Sequence, residues 1–224
     1  MKRPFIIGIA GTCSNVGKTT TAVLLLKYLT QARSGQQATD GVGEETDNVP
    51  SAFIGPKPAG LGKWGAIKYT KTEFYASLVD DKEALSRKDK DTGRFIESGA
   101  EEVVWVKSPP QGLEEVLFQA LERLSFLDGI IVEGNSAIEF LQPDIVIFIF
   151  GNDKKLWKPG TERLAGTADI IIYENESELP EVAKTKRRFL GDRTGIKGVR
   201  GFLELISEMI YERKTERRNN EKGR

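Results

Sequence analysis

Short runs dominated by apolar residues recur along this chain, separated by longer stretches in which apolar and polar residues mix. A run of roughly four to eight residues with few charges is typical of a strand that is buried on both faces of a sheet. Six segments fit this description and are predicted strands: Pro4–Gly11, Gly62–Thr70, Glu101–Ser108, Asp128–Gly134, Pro143–Gly151 and Ala168–Asn175.

In several of the stretches between these runs, apolar residues recur every three to four positions, which is the spacing of an amphipathic helix. The spacing predicts helices over Lys18–Gln31, Leu113–Leu124 and Phe202–Ile210, and the polar stretch Asp80–Glu97 is predicted to be partly helical. Strands that alternate with helices indicate an α/β fold, with a mostly parallel sheet and helices on both faces. In such a fold, ligands bind beyond the carboxyl ends of the strands.

The chain has 224 residues, and residues 1–213 are predicted to form a single domain. Ser34–Ser51 is rich in Gly, Ser, Asp and Thr and nearly free of apolar residues, which predicts a long polar loop or insertion. Residues 214–224 are mostly charged and predict a solvated, frayed tail. The preceding stripe, Phe202–Ile210, is expected to pack in the core. The alternative is a homodimer interface, because sheets of this class often pair into dimers.

Charge and composition exclude several classes of function. Lys plus Arg and Asp plus Glu number 33 each, so no overall positive field indicates a nucleic acid partner. No apolar run is long enough to span a membrane, and we expect a cytoplasmic protein that contacts neither membranes nor nucleic acids. The chain has no histidine and one cysteine, Cys13, which excludes Ser–His and Cys–His pairs and imidazole metal sites. Carboxylates, lysines, hydroxyls, backbone amides and a hard cation remain.

The segment between the first strand and the first helix, GTCSNVGKTT, has the composition of a phosphate-binding loop. Five residues separate Gly11 from Gly17, one more than in the usual pattern. The backbone N–H groups and the positive end of the following helix would hold an anion. We therefore predict a nucleoside triphosphate site in which Lys18 reaches the terminal phosphates and Thr19 binds Mg²⁺. The loop residues predicted to bind the nucleotide are Gly11, Thr12, Asn15, Val16, Gly17, Lys18, Thr19 and Thr20.

A magnesium–nucleotide site also needs a carboxylate at the end of a neighbouring strand. Glu133 lies between an uncharged apolar run and Gly134, and it is the predicted magnesium ligand and a predicted catalytic residue. Glu73, beyond the second strand, is either a second magnesium ligand or an exposed loop acid. Lys68, near the end of the same strand, is predicted to be catalytic and to stabilise either a phosphoryl group or an anionic substrate.

Three further cations follow the predicted strand ends. Lys71 either faces the same cleft or is solvated at the end of its strand. Arg94 and Lys90 either clamp a second phosphate or lie on a solvated helix face, and the polarity of their stretch favours the solvated face.

The nucleotide base has two sets of candidate ligands. Asn175, at the end of the last predicted strand, is predicted to contact the purine, while Asn152 and Asp153 keep part of a guanine-recognition motif without its order. All three are also common turn residues. The residues alone leave GTP and ATP open.

The loop GTCSNVGKTT resembles the Gly-Thr-x-x-x-Val-Gly-Lys-Thr form found in dethiobiotin synthetase and in the cobyric acid and cobyrinic acid amide synthases. Those enzymes also carry a VEG-type strand end, which Val132–Gly134 matches here. The resemblance implies the three-layer sandwich of the P-loop NTPases and, as one activity, ATP-dependent phosphorylation of a substrate carboxylate. A glutamine-dependent version needs a Cys–His pair, which this chain lacks.

The middle of the chain resembles the molybdopterin-guanine dinucleotide biosynthesis protein B family. The segments GAIKYTKTEF, KDKDTGRFIESGAEEVVWVKS and LDGIIVEGNSAIEFLQPDIVIFI follow that family's order and spacing, over roughly Pro4–Ile149. Matched residue by residue, the family's lysine, aspartate and phenylalanine fall on Lys68, Glu73 and Phe74, and its later motifs fall on Lys90, Asp91, Thr92, Arg94, Glu133 and Gly134.

This narrower resemblance implies a Mg²⁺-dependent GTP-binding protein with weak GTPase activity in molybdenum cofactor maturation, with a molybdopterin-processing enzyme or a pterin ligand as partner. It favours GTP over ATP. The chain departs from the family in lacking its histidines, which Tyr69, Lys71 and Thr72 replace, and in carrying Asn135 for a phenylalanine. The chain therefore resembles a diverged member, for which the fold and nucleotide binding transfer better than the biological role.

Overall fold

The computed structural model describes residues 3–30, 62–86 and 90–222 of the chain. The predicted polar insertion Ser34–Ser51 lies outside these residues. The described strands are β1 Phe5–Gly11, β2 Trp64–Lys71, β3 Ser77–Val79, β4 Val103–Ser108, β5 Gly129–Glu133, β6 Ile145–Phe150, β7 Ile170–Tyr173, β8 Arg187–Asp192 and β9 Gly195–Ile196. The helices are α1 Lys18–Thr30, α2 Lys82–Leu85, α3 Asp91–Glu97, α4 Leu113–Arg123, α5 Asn135–Leu141, α6 Thr161–Gly166, α7 Glu181–Lys184 and α8 Val199–Lys222.

The nine described strands form one sheet in the order β3-β4-β2-β5-β1-β6-β7-β8-β9. All pairings from β4 to β8 are parallel, while β3 and β9 run antiparallel at the two edges. The architecture is therefore an α/β fold with a mostly parallel sheet, as predicted. Because β1 lies between β5 and β6, the loop that follows it opens at the centre of the carboxyl edge.

Side chains that alternate along the central strands bury two separate cores. Ile7 and Ile9 of β1 pack with α1 and α8 on one face of the sheet. Ile6 and Ala10 pack with α4 and α5 on the other face. The sheet is thus the middle layer of three, which confirms the prediction of helices on both faces.

The sequence analysis did not predict three of the described strands, for two different reasons. β3 and β9 span three and two residues, too short for a pattern. β8 begins with Arg187 and Arg188, which are both exposed, so it lacks the apolar run of a strand that is buried on both faces. Its pairing with β7 is the source of its strand geometry.

The C-terminal stripe packs in the core, as expected, but the charged segment after it is not a frayed tail. Phe202 and Ile206 are fully buried. Helix α8 then continues to Lys222. Arg213 Nη2 lies 2.5 Å from Asp169 Oδ1, and Arg217 pairs with Asp144. These ion pairs fasten the last turns of the helix to the amino edge of the sheet.

No helix in the described part of the chain combines the length and apolar character that crossing a membrane requires.

Candidate functional site

The predicted phosphate-binding loop connects the buried strand β1 to helix α1 at the centre of the carboxyl edge. Asn15 has φ of 59° and Gly17 has φ of +100°, so the loop passes twice through left-handed backbone. A Cβ on Gly17 would lie 3.0 Å from the Asp192 carbonyl oxygen, and the positive φ also favours glycine. The loop therefore turns tightly and brings its backbone to the start of a 13-residue helix, as anion binding requires.

Neighbouring strand ends hold the first part of the loop. Asn135 forms a reciprocal pair with Gly11: the Gly11 N–H donates to Asn135 Oδ1 at 3.1 Å, and Asn135 Nδ2 donates to the Gly11 carbonyl at 2.9 Å. The Thr12 hydroxyl is fully buried and accepts from the Gly151 N–H at 2.9 Å. Val16 is buried in the core. The side chains of Thr12 and Val16 thus shape the loop and do not line the cleft.

The reactive part of the loop meets the end of β5. Lys18 Nζ donates to the Cys13 carbonyl oxygen at 2.5 Å, so its ammonium lies over the loop. The Thr19 hydroxyl donates to Glu133 Oε2 at 2.9 Å. Glu133 is only 3% exposed, and its carboxylate is the buried anionic centre of the site. The structure thus brings Lys18, Thr19 and Glu133 together, as the sequence predicted.

Lys68 joins this centre from β2. It is the register partner of Glu133 on the adjacent parallel strand, and its Nζ lies 2.5 Å from Glu133 Oε1. The same ammonium lies 2.5 Å from Asp91 Oδ2, in the first turn of α3. One cation therefore bridges two carboxylates beside the phosphate-binding loop.

The ionisation of these groups follows from their contacts. Burial alone would lower the pKa of the Lys68 ammonium, but Glu133 and Asp91 outweigh it and the pKa is raised above its ordinary value. Burial alone would raise the pKa of Asp91, but its contacts with Lys68 and Thr19 outweigh burial and the pKa is lowered. Burial lowers the pKa of Lys18; Glu133 opposes this shift, and the charges of Lys158 and Lys68 reinforce it. The site thus holds lysines that repel one another around one buried carboxylate.

Thr20 uses its hydroxyl to hold another segment of the cleft wall. It donates to the Arg193 carbonyl at 3.0 Å and fastens the β8–β9 turn to the start of α1. Within that turn, Asp192 Oδ1 accepts from the Thr194 N–H at 2.7 Å. Arg193 and Thr194 line the cleft as a result. The sequence contained no signal for this contact, because the two segments are far apart in the chain and β8 was not predicted.

Lys158 is a second cleft residue that the sequence analysis missed. Its N–H donates to the Thr12 carbonyl at 2.8 Å, and its carbonyl accepts from the Thr161 hydroxyl at 2.7 Å. The backbone is therefore fixed against the phosphate-binding loop, and the side chain lines the cleft. The Pro-Gly turn that follows Lys158 was the available signal, since it marks a loop at the carboxyl edge.

Two predicted ligands are not brought to the centre. Glu73 is exposed and does not line the cleft, so the carboxylate beside Lys68 is Asp91 instead. Asn175 is also exposed and outside the cleft lining, and its Oδ1 accepts from the Ser177 N–H at 3.1 Å. Asn152 contacts Glu174, and Asp153 accepts from the Lys155 N–H at 2.9 Å. These asparagine and aspartate side chains act as turn residues in this structure.

The site opens into a cleft of about 1080 Å³. Besides the loop, the ends of β2 and β5, the starts of α3 and α5, the segment before α6 and the β8–β9 turn contribute to its walls. The residues lining it are Ser14, Asn15, Gly17, Lys18, Thr19, Thr20, Lys68, Tyr69, Thr70, Lys71, Asp91, Arg94, Glu133, Gly134, Asn135, Ser136, Glu139, Lys158, Pro159, Gly160, Leu164, Arg193 and Thr194.

The oxygen atoms around Thr19 suit Mg²⁺. This ion is usually held by one or two carboxylates together with phosphate oxygens and water, rather than by an all-protein cage. The Thr19 hydroxyl and the Glu133 carboxylate are adjacent, and the Asp91 carboxylate lies next to Thr19. No group of three or more His, Cys, Asp or Glu residues able to hold a metal occurs within residues 3–30, 62–86 and 90–222. The hydroxyl and carboxylate oxygens around Thr19 are of the kind that ligate Mg²⁺.

No family model and no curated protein matches this chain. Among solved structures, it is similar to LpxK from Aquifex aeolicus in complex with ATP, at 14% identity and a TM-score of 0.42, covering 84% of this chain and 53% of that one. It is also similar to a Zn(II)-bound triple mutant of the YjiA GTPase, at 12% identity and a TM-score of 0.37, covering 85% and 59% respectively. The chain thus spans little more than half the length of these proteins. With TM-scores this low, neither similarity indicates what the chain binds.

Proposed function

We propose that this protein binds a magnesium–nucleoside triphosphate at the loop between β1 and α1 and cleaves or transfers its terminal phosphoryl group. The observation that carries the proposal is the contact between the Thr19 hydroxyl and the buried Glu133 carboxylate, with Lys18 in the same loop. A hydroxyl, a carboxylate and a lysine at the start of a helix are the groups that position a metal-bound triphosphate.

The loop and Lys18 bind the phosphates in this proposal. Backbone N–H groups and the positive end of α1 hold the anion, and the Lys18 ammonium exchanges the Cys13 carbonyl for a phosphate oxygen. Burial and neighbouring lysines lower the pKa of Lys18, so a bound anion also relieves the repulsion among these cations.

Thr19 and Glu133 would hold the magnesium ion, with Asp91 next to them. When bound, the ion neutralises charge on the terminal phosphates. Lys68 already lies at 2.5 Å from both carboxylates, and its raised pKa keeps it protonated at neutral pH. It is therefore the side chain we assign to stabilising charge on the transferring phosphoryl group.

For the biological role, we propose a GTP-binding accessory protein with slow GTPase activity in molybdenum cofactor maturation. The support is the ordered resemblance of Gly65–Ile149 to the molybdopterin-guanine dinucleotide biosynthesis protein B family. The proposed partner is a molybdopterin-processing enzyme or a pterin ligand, and a homodimer is the proposed assembly. Asn175, at the end of β7, remains the proposed purine contact, which requires its side chain to leave Ser177.

An ATP-dependent ligase that phosphorylates a substrate carboxylate is the second candidate. The observation that favours it is the extent of the cleft, which runs past the loop to Lys71 and Arg94 and has room for a ligand besides the triphosphate.

Calorimetry and turnover measurements separate the two candidates. The accessory-protein role predicts Mg²⁺-dependent binding of GTP and slow release of phosphate without a second substrate. No GTP affinity at any Mg²⁺ concentration would refute it. The ligase role predicts that ADP release from ATP rises when biotin or corrin precursors are added, and no stimulation across such a panel would refute it. Mass spectrometry of small molecules that copurify with the protein identifies the natural nucleotide.

A further inference from the structure

The cleft has a second positively charged region beyond the phosphate-binding loop. Lys71, at the end of β2, and Arg94, on α3, line this part of the cleft and are exposed. Neither forms a salt bridge with any residue that the structure describes. Asp91, in the first turn of α3, pairs with Lys68 and also experiences the charge of Arg94.

Two more lysines lie outside the cleft lining, on the ring of Trp105 in the neighbouring strand β4. Lys90 Nζ and Lys107 Nζ lie 4.8 and 3.7 Å from the centre of the Trp105 ring. Lys107 is the register partner of Thr70, which lines the cleft. Neither lysine pairs with a carboxylate in the described part of the chain. We call Lys71 and Arg94, the two of these cations that line the cleft, the cationic wall.

Charged residues balance over the whole chain, yet these two cations have no salt-bridge partner among the described residues. An anion bound between them would be attracted by both charges. Arginine adds a planar pair of donors that suits phosphate and carboxylate groups. The wall is therefore suited to a ligand with more than one negative charge.

The wall also lies beside the proposed reaction centre. Lys71 is three residues beyond Lys68 on β2, and Arg94 is one helical turn beyond Asp91 on α3. The cleft of about 1080 Å³ slightly exceeds the usual range for ligand pockets, roughly 300–1,000 Å³. A ligand on the wall and a triphosphate in the loop can thus be adjacent without sharing contacts.

We propose that the cationic wall binds a second substrate, a small molecule bearing a phosphate or several carboxylates, at the same time as the nucleotide. The proposal rests on the proposed nucleotide function, since it places this ligand next to the terminal phosphate. It therefore favours the second candidate, a ligase that uses two substrates, over a protein that only hydrolyses GTP.

The test is calorimetric titration of inorganic phosphate into the full chain, saturated beforehand with Mg²⁺ and a non-hydrolysable triphosphate analogue. We expect one equivalent of phosphate to bind to the wild-type protein. The double variant Lys71→Ala/Arg94→Ala should bind phosphate about tenfold more weakly or worse, because two charged contacts are lost. Its affinity for the analogue should stay within about twofold of wild type.

A matched control removes the same charge elsewhere. Lys184→Ala/Arg200→Ala deletes one lysine and one arginine from exposed positions on α7 and α8, outside the cleft. This variant should bind phosphate and the analogue as the wild type does. Absence of phosphate binding to the saturated wild-type protein would overturn the proposal. So would an equal loss of analogue affinity in the wall variant, because the wall would then belong to the nucleotide site.

Failure of the analogue to bind the wild-type protein would refute the nucleotide function instead. The wall is then tested in a Lys18→Ala background, in which the loop lacks its lysine. Phosphate binding that disappears when Lys71 and Arg94 are also replaced would support an anion site on the wall. Unchanged or absent phosphate binding in this background would refute it.

Discussion

The two edges of the central sheet both carry ion pairs, but they use them differently. At the amino edge, Arg213 and Arg217 of α8 pair with Asp169 and Asp144. Each aspartate also accepts a backbone N–H, from Val146 at 2.8 Å or Ile6 at 2.7 Å. Both aspartates thus have a charged donor and a backbone donor within the protein, so these contacts contribute to stability.

At the carboxyl edge, cations outnumber the carboxylates available to them. Lys68 is shared between Glu133 and Asp91. Lys71, Arg94, Lys158 and Arg193 line the cleft without a salt bridge to any described residue. The two edges therefore differ in how many of their charged side chains have a salt-bridge partner. The paired charges at the amino edge contribute to stability, and the excess cations at the carboxyl edge are those to which we assign an anionic ligand.

Lys18→Ala has the largest expected effect. It should weaken nucleotide binding at the carboxyl edge and leave the contacts of the amino edge unchanged. Nucleotide affinity should fall by roughly 100-fold or more, because the side chain that reaches the terminal phosphates is lost. The thermal midpoint should change little, since Lys18 forms no ion pair in the described structure. Fluorescent nucleotide binding and thermal unfolding check both points. Lys27→Ala, in the last turn of the same helix, is the control, and retained affinity in Lys18→Ala would contradict the proposed site.

The double variant Arg213→Ala/Arg217→Ala removes both ion pairs between α8 and the amino edge of the sheet. We expect a loss of about 1–2 kcal/mol of unfolding free energy for each arginine, because each leaves a partly buried aspartate without its charged donor. For a chain of this size, each kcal/mol corresponds to roughly 2–4 °C in the thermal midpoint. Nucleotide affinity should be unchanged. Wild-type stability in this variant would show that the last turns of α8 do not fasten the sheet.

The pH dependence of folding stability tests the contact between Lys68 and Asp91 at the carboxyl edge. Its pKa is lowered in the folded protein, so its contribution to stability is present above the ordinary carboxyl pKa near 4 and is lost as the pH falls through the lowered value. Lys68→Met removes the main contact that opposes burial and should make this acid loss shallower. Urea unfolding between about pH 2.5 and 6 measures it. An identical acid profile in the variant would mean that Lys68 does not control Asp91.

Lys158→Ala has the smallest expected effect. The charge of Lys158 acts on Lys18, but the Lys158 side chain is exposed and therefore screened by solvent. We expect nucleotide affinity to fall only about three- to tenfold. Lys155→Ala, on the same loop and outside the cleft lining, is the matched control. Equal nucleotide affinities in the two variants would show that Lys158 does not contribute to the nucleotide site.

Local sequence patterns predicted the elements whose structure depends mainly on residues close together in the chain. The apolar run of β1, the glycines and lysine of the loop and the apolar stripe of α1 all lie within thirty residues, and the site begins there. Glu133 was predictable for the same reason, since an acid directly after a buried strand at the carboxyl edge has few other uses.

Residues that tertiary contacts bring together could not be predicted. Glu73 and Asp91 both follow β2, and no local pattern shows that the chain exposes the first and returns the second to Lys68. Asn135 was noted only as a departure from the family, although it pairs with Gly11. The charged end of α8 suggested a frayed tail because its partners, Asp144 and Asp169, lie in other parts of the sequence.

The most direct test of the account is the magnesium dependence of triphosphate binding in the wild type and in Thr19→Val, which removes the hydroxyl and keeps the side chain's shape. Calorimetry with a non-hydrolysable GTP or ATP analogue should show that Mg²⁺ strengthens wild-type binding by about tenfold or more, and that this gain is lost in the variant. An equal gain in both proteins, or no gain in the wild type, would contradict a magnesium–triphosphate site at Thr19 and Glu133.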